Sequence, residues 1–252
     1  MPDSKTTPRT APGIASGAAP GAAPRELMLP PPYTAHWLAQ GSAFDAACGR
    51  APQDGAGCLV WHMSSGGARA GRLDFAVVLE PDTPLVQARR ALICGMVALG
   101  DALAAHCPPE RGVNFGWPGE VTLDGGRVGG MRFAAAQADK EAVPDWIVLG
   151  IELIADRDHL AAAGHFPDSI SLKEEEFTDP VAVLESFAAY LMLNFDRWTH
   201  DGFAALAARY SPRLSSGGTL SEQGDLQLDD GPQPLADAVE VLHWRDAEGP
   251  RL

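Results

Sequence analysis

Apolar and polar positions recur along this chain with two periods, and the periods separate strands from helices. A short run, Val121-Thr122-Leu123, meets the turn signal Asp124-Gly125-Gly126. A second run follows through Arg127 and Val128 to Met131 and Phe133. Two such runs joined by Asp-Gly-Gly predict a β-hairpin. Residues 57–61 and 73–79 read as strands, and 113–115 as a short strand leading into the hairpin. Residues 146–154 form a continuous apolar run, as expected mid-sheet under covering helices. Glu152 interrupts that run; it either faces a pocket or points outwards from an exposed strand face. Residues 43–50 can form a short helix. The clearest helix is 85–105, where Leu85, Ala88, Leu92, Met96, Leu99 and Leu103 make one apolar face. Pro108 and Pro109 end it. Pro180 opens another long helix, with Val181, Leu184, Phe187, Ala188, Leu191 and Phe195 as its apolar residues.

The two ends of the chain differ from its middle. Residues 1–26 are rich in Ala, Pro, Gly, Ser and Thr and have almost no large apolar side chain, so a disordered tail is expected there. Residues 27–214 make the main domain. Ser215-Ser216-Gly217-Gly218 is a plausible linker. Beyond it, residues 219–220, 225–228 and 239–244 read as short strands, with a turn at 229–231. They make 215–252 a small β module or a C-terminal extension. Under 40 residues, it would need to pack on the main domain to be stable.

Charge narrows the function classes. The 252 residues carry 19 Lys and Arg against 33 Asp and Glu, a net charge of −14. Such a balance disfavours sequence-independent nucleic-acid binding and anionic membrane surfaces. No apolar run approaches the roughly 18 residues of a spanning helix. With no apolar signal core either, a cytoplasmic location is expected. Cys48, Cys58, Cys94 and Cys107 show no CxxC pairing; they read as reduced, mostly buried residues, and no metal site is expected.

Two stretches carry candidate chemistry. Gly129 and Gly130 lie within the second hairpin strand, where glycine marks either a ligand's close approach or a bulge. The loop from His62 to Arg72 holds Arg69, Gly71 and Arg72; it supplies backbone N–H groups and guanidinium donors suited to a phosphate, or it is an ordinary solvent loop. An unrelated hydrolase has no support. There is no Gly-x-Ser-x-Gly elbow, and His62, His159, His165 and His200 are scattered.

These stretches also resemble the biotin/lipoate protein ligase family. There, a Lys-Trp-Pro-Asn-Asp run precedes a hairpin ending Lys-x-x-Gly-(Ile/Met)-Leu. Trp117, Pro118 and Gly130 match in frame, while Gly116, Gly119, Glu120 and Arg127 stand at the charged or polar positions. The family's Gly-Arg-Gly-Arg-Arg-Gly-Arg loop is echoed by Arg69, Gly71 and Arg72. Its Val-Ile-Gly-Ile-Gly-Ile-Asn strand is echoed by Gly150 and Ile151, with Glu152 and Ile154 replacing Gly and Asn. Residues 168–172 are similar to its Ala-Thr-Ser-Leu, and Gly202-Phe203 with Leu206 to its Gly-Phe-x-x-Leu. The family-like region spans about residues 43–213.

The resemblance implies an α+β fold like class II aminoacyl-tRNA synthetases and biotin ligases: a mixed, mainly antiparallel sheet packed by helices, with a small C-terminal β module. It implies activation of biotin, lipoate or a related acid with ATP and Mg, and acyl transfer to a lysine on a biotinyl or lipoyl carrier domain. Arg127 falls at the catalytic lysine. Arg69, Gly71, Arg72, Trp117, Gly129, Gly130 and Gly150 fall at ligand-binding positions. Arginine is a poor substitute for lysine's compact charge. With four positions changed together, the expectation is a ligase-like domain with an eroded site that binds an acyl ligand or carrier without efficient adenylation. The alternative is an active acyl-protein ligase with a remodelled site.

Overall fold

The computed structural model describes residues 25–64, 66 and 69–252. In chain order the main elements are β1 (Thr34–Trp37), α1 (Ala43–Asp54), β2 (Cys58–Ser64), β3 (Arg72–Leu79), α2 (Leu85–Ala88), α3 (Ala91–His106), β4 (Val113–Gly116), β5 (Glu120–Leu123), β6 (Gly126–Ala135), β7 (Ile147–Ile154), α4 (Pro180–Asp201) and α5 (Phe203–Tyr210). The strands form one seven-stranded sheet in the order β1-β2-β3-β7-β6-β5-β4. Only β1 and β2 pair in parallel; the other pairs are antiparallel.

Alternation along the central strands gives the sheet two unlike faces. Leu149, Ile151 and Leu153 of β7, with Leu73, Phe75 and Val77 of β3, join the large core under α3 and α4. Phe75 meets Phe187 of α4 edge-on at 5.3 Å between ring centroids. The opposite residues, Val60, Ala76, Val78 and Val148, pack on α1 in a smaller cluster. That smaller cluster covers only one end of the second face, and its uncovered part is polar.

The β5–β6 hairpin follows from its turn. Asp124 (φ 47°) and Gly125 (φ 87°) both lie in the left-handed region, the conformation a two-residue hairpin loop requires. The pairing then slips: Val121 faces Gly129, but Thr122 faces Arg127, leaving Val128 as a bulge. Gly129 sits at φ 152°, with the space for a β-carbon only 2.0 Å from the Glu152 carbonyl oxygen, so only glycine fits.

Several expectations need correction. The helix predicted over 85–105 is two helices, α2 and α3, interrupted at Arg89 and Arg90. Residues 239–244 are not a strand; they follow a short helix, α6 (Leu235–Ala238), as turn and extended chain. Strand β1 was not expected, because the sequence there reads only as an extended lead-in. The disordered-tail reading of 1–24 lies outside the described residues. Arg25 is already anchored, with ion pairs to Asp179 at 2.8 Å and Glu185 at 3.1 Å.

The C-terminal residues add β8 (Thr219–Leu220), β9 (Leu226–Leu228), β10 (Gly231–Gln233), α6, and a small hairpin of β11 (Arg245–Asp246) and β12 (Gly249–Pro250). Leu226, Leu235 and Val239 belong to the main core, so this region shares the hydrophobic interior of 27–214.

A buried aromatic contact ties α5 to the start of the central hairpin. Tyr210 stacks on Phe115 at 5.1 Å, and its hydroxyl donates to the Pro118 carbonyl at 2.8 Å. Burial pushes the Tyr210 phenol above its usual range, so it remains a donor. Tyr210→Phe leaves that carbonyl without its donor and should cost about 1–2 kcal/mol, as a lower urea midpoint with an unchanged slope.

Candidate ligand-binding face

Register places several of the candidate residues on the polar part of the sheet face that α1 leaves free. Asp74 on β3 pairs with Glu152 on β7, which pairs with Gly130 on β6, which pairs with Glu120 on β5. These four residues run across the sheet as one row. Arg72 and Arg132 lie on the same face, two residues from Asp74 and Gly130. The bulge at Val128 turns Arg127 onto this face as well.

Glu152 is the centre of the row. It is 2% exposed and accepts from Arg132 at 3.2 Å and from Arg245 at 3.0 and 3.3 Å, with Arg69 at 3.7 Å. The exposed-strand alternative for Glu152 is therefore ruled out: the carboxylate is buried among arginines. Asp74 is equally buried and pairs with Arg69. Burial raises the Asp74 carboxyl above the usual range; Arg69 opposes this and Glu152 adds to it. Burial disfavours the charged form of Arg69, but Asp74 and Glu152 outweigh that and hold its pKa up. Arg72 is pulled down, chiefly by burial. Its Nη1 finds no hydrogen-bond partner among the described residues.

Arg127 donates from Nε to Glu120 Oε1 at 2.7 Å. A β-carbon on Gly116 would fall 2.6 Å from Glu120 Oε2, so the same carboxylate fills the space beside Gly116. At Gly119 a β-carbon would lie 2.6 Å from the Met131 carbonyl oxygen. At Gly130 it would lie 2.4 Å from the Gly119 oxygen and 2.6 Å from the Trp244 indole.

Two candidate glycines are occupied by scaffold contacts. Gly71 (φ 70°) takes N–H donors from Ala155 and Asp156 on its carbonyl, at 2.7 and 3.0 Å. Gly150 lies beneath α1, with Phe44 filling the space of its missing side chain at 2.3 Å. Trp117 is half-buried and packs edge-on against Tyr210 at 6.3 Å. The structure thus brings Arg69, Arg72, Arg127 and Gly130 to one face, sets Gly129 in register with the core residues Leu153 and Val121 on the other, and leaves Gly71, Gly150 and Trp117 at the margins.

Sequence reasoning missed Asp74, Arg132, Trp244 and Arg245. Arg132 stands two residues beyond Gly130, so strand alternation could have found it. Trp244 and Arg245 reach this face only through the path of the C-terminal chain, which no local pattern encodes.

The segment 168–172 docks beside the hairpin. The Arg127 N–H donates to the Asp168 carbonyl, and the Ile170 N–H to the Arg127 carbonyl, each at 2.9 Å. Arg157 pins this segment through the Ser169 carbonyl at 2.8 Å and holds Glu174 with two bonds of 2.6 and 2.8 Å. Elsewhere, His36, Asp54 and Cys58 place donor atoms within 4.8 Å of one another. Arg50 already holds Asp54 at 2.7 Å, and burial raises the Cys58 thiol to about 11, so a cation there would have to displace both an arginine and a proton. No helix among the described residues is long and apolar enough to cross a membrane.

One face of the sheet packs on α3 and α4, and the other carries α1 beside a polar row of Asp74, Glu152, Gly130 and Glu120 with the arginines that meet them. The sequence model of the biotin/lipoate A/B protein ligase family matches residues 29–212, and the chain belongs to that family. A biotin–[acetyl-CoA-carboxylase] ligase from Paracoccus denitrificans is 27% identical over 169 residues, covering 62% of this chain and 69% of that protein. A biotin protein ligase-like protein of unknown function from Silicibacter sp. TM1040 has TM-score 0.74 and 26% identity, covering 84% of this chain and 99% of its own. The biotin protein ligase of Aquifex aeolicus in complex with biotin and ATP has TM-score 0.59 at 16% identity, covering 79% and 94% of the two chains, and shows the fold alone.

Two predictions follow from these ion pairs. Glu152→Ala leaves Arg132 and Arg245 without their buried counter-charge and should destabilise by about 3–5 kcal/mol in denaturant unfolding. The second concerns Glu174, whose carboxyl Arg157 holds down to about 2, with further bonds from Ser171 and with burial opposing. A depressed folded-state pKa stabilises above the unfolded value and is lost as pH falls through the folded one. The stability gap between wild type and Glu174→Gln should therefore be full above pH 4.5 and close as pH falls toward 2, read as urea midpoints.

Proposed function

We propose that this domain is a biotin/lipoate ligase-like protein that binds an acyl acid or its carrier domain and has lost efficient adenylation. One observation carries the reading: the cationic groups that would meet an anionic ligand are already committed to carboxylates of the same chain. Arg127, which falls at the family's lysine, pairs with Glu120, and Arg69 pairs with Asp74. Family membership supplies the acyl-ligand and carrier classes, with biotin, lipoate or a related acid as candidates. Cytoplasmic placement rests on the four unpaired cysteines.

The family also implies ATP with Mg. The side chains present do not fit that pair. A metal ion would need free carboxylates, yet Asp74 and Glu152 are held by arginines. Phosphates would need free donors, and Arg69 and Arg127 already hold Asp74 and Glu120. No catalytic step is therefore routed through ATP.

A second reading, an active acyl-protein ligase with a remodelled site, has one feature in its favour: the buried Arg72 Nη1, which finds no partner among the described residues. Pyrophosphate exchange driven by biotin, lipoate or octanoate separates the two. The proposal predicts exchange at background level. Arg127→Lys should not rescue it, because catalytic groups acting as a unit are strongly non-additive. Gly119→Asn would set a side chain against the Met131 carbonyl oxygen, so this variant should unfold more readily rather than regain activity. Robust exchange by the wild-type protein, abolished in Arg127→Ala, would establish the active ligase instead.

A further inference from the structure

The C-terminal hairpin is the feature that the family reading does not absorb. Residues 244–250 cross the polar face of the sheet, with β12 lying over β6 and β7. Trp244 is 2% exposed and packs on the Gly130 backbone. Arg245 takes both oxygens of Glu152. Gly249 packs so closely on Arg72 that a β-carbon there would fall 2.1 Å from Nη1. Arg127 reaches the Arg251 carbonyl at 3.5 Å. Gly130, Arg72, Arg127 and Glu152 are thereby all in contact with the C-terminal segment.

The attachment is of a particular kind. The hairpin closes on itself, pairing Arg245 with Pro250 and Asp246 with Gly249, and the Arg251 N–H donates to the Trp244 carbonyl at 2.9 Å. Among the described residues, no backbone hydrogen bond joins it to the seven-stranded sheet. Side chains alone hold it down. The chain leading to it, from Glu240 to His243, is mostly exposed and lies between the buried anchors Val239 and Trp244. A self-contained unit on an exposed tether can lift without breaking the sheet's ladder, and local opening favours segments with few backbone ties to the core.

We infer that residues 244–250 are a detachable strap that occupies the ligand face in cis and competes there with an acyl acid. The inference rests on the acyl-ligand reading above. The chemistry of the competition is complementary. The strap presents an indole to the glycine floor, the kind of surface an acyl chain or fused ring would cover. Its Arg245 neutralises Glu152. When the strap lifts, Glu152 is left to Arg132 and Arg69, and Arg72 and Arg127 lose their strap contacts. The opened face then offers the Gly130 floor, shaped to an indole-sized group, beside an Arg72 Nη1 unpartnered among the described residues, which suits an apolar acid bearing one carboxylate.

Two measurements on the full chain test it. The first needs no ligand. In hydrogen exchange, the Arg251 amide should exchange by local opening, much faster than amides of β3 and β7 in the same protein, because a hairpin this short loses its internal hydrogen bonds once it lifts off the face. Exchange of the Arg251 amide only with global unfolding would overturn the strap. The second compares wild type with Trp244→Ala/Arg245→Ala by calorimetric titration with biotin, lipoate and octanoate. A strap closed in nine molecules of ten lowers apparent affinity roughly tenfold, so the variant should bind one probe at least about tenfold more tightly. A synthetic peptide of residues 243–252 should bind the variant and compete with that probe.

Equal affinity of wild type and variant for a bound probe would overturn the competition. If neither protein binds any probe, the peptide decides. Peptide binding to the variant would keep the strap and remove the acyl-ligand reading, while no peptide binding would remove the strap as well.

Discussion

A carboxylate buried in the middle of a sheet must be compensated, and the compensation of Glu152 organises the polar side of this molecule. An uncompensated buried charge costs several kcal/mol. Here the counter-charges come from three separate parts of the chain: Arg132 on the neighbouring strand, Arg69 from the loop before β3, and Arg245 from the C-terminal hairpin. One residue thus recruits a loop and a terminus to the same face. Asp74 extends the same logic, sharing Arg69 with Glu152 across the β3–β7 pair. The second carboxylate pair, Glu120 with Arg127, repeats it at the far end of the row.

The consequence for function is that this face has its own internal ligands. In a family where Gly stands at the position of Glu152, nothing in that position answers the arginines; here a fixed carboxylate does. The glycines preserve the backbone frame. Gly129 is required by its φ of 152° and by the Glu152 carbonyl beneath it, whatever the chemistry above. Backbone and side chains are set apart in this way: the hairpin keeps the glycines its geometry requires, while the charged groups of this face pair with one another.

How much of this could be read from the sequence depends on the range of each interaction. The hairpin was legible because Asp124 and Gly125 encode their own backbone geometry. The central strand was legible because residues 146–154 are apolar throughout, and the long helices because of their spaced apolar positions. The break at Arg89 and Arg90 was not, since both fit a helix and Arg90's partners Trp198, Phe203 and the Glu222 carbonyl lie far along the chain. Glu152 was visible as an anomaly but not as an inward-facing group, because its partners lie 20 and 93 residues away. The strand expected over 239–244 failed for the same reason. Its apolar residues are anchors set by tertiary contact, Val239 into the core and Trp244 onto Gly130, rather than one face of a strand.

Arg245 of the C-terminal hairpin and Glu152 of the sheet form one coupled unit. A double-mutant cycle on unfolding free energy, with Arg245→Ala, Glu152→Gln and the pair, measures that coupling directly. A coupling of about 1–3 kcal/mol is expected, with Arg245→Ala costing far less once Glu152 is neutral. Additivity to within about 0.3–0.5 kcal/mol would contradict it, since independent sites behave that way.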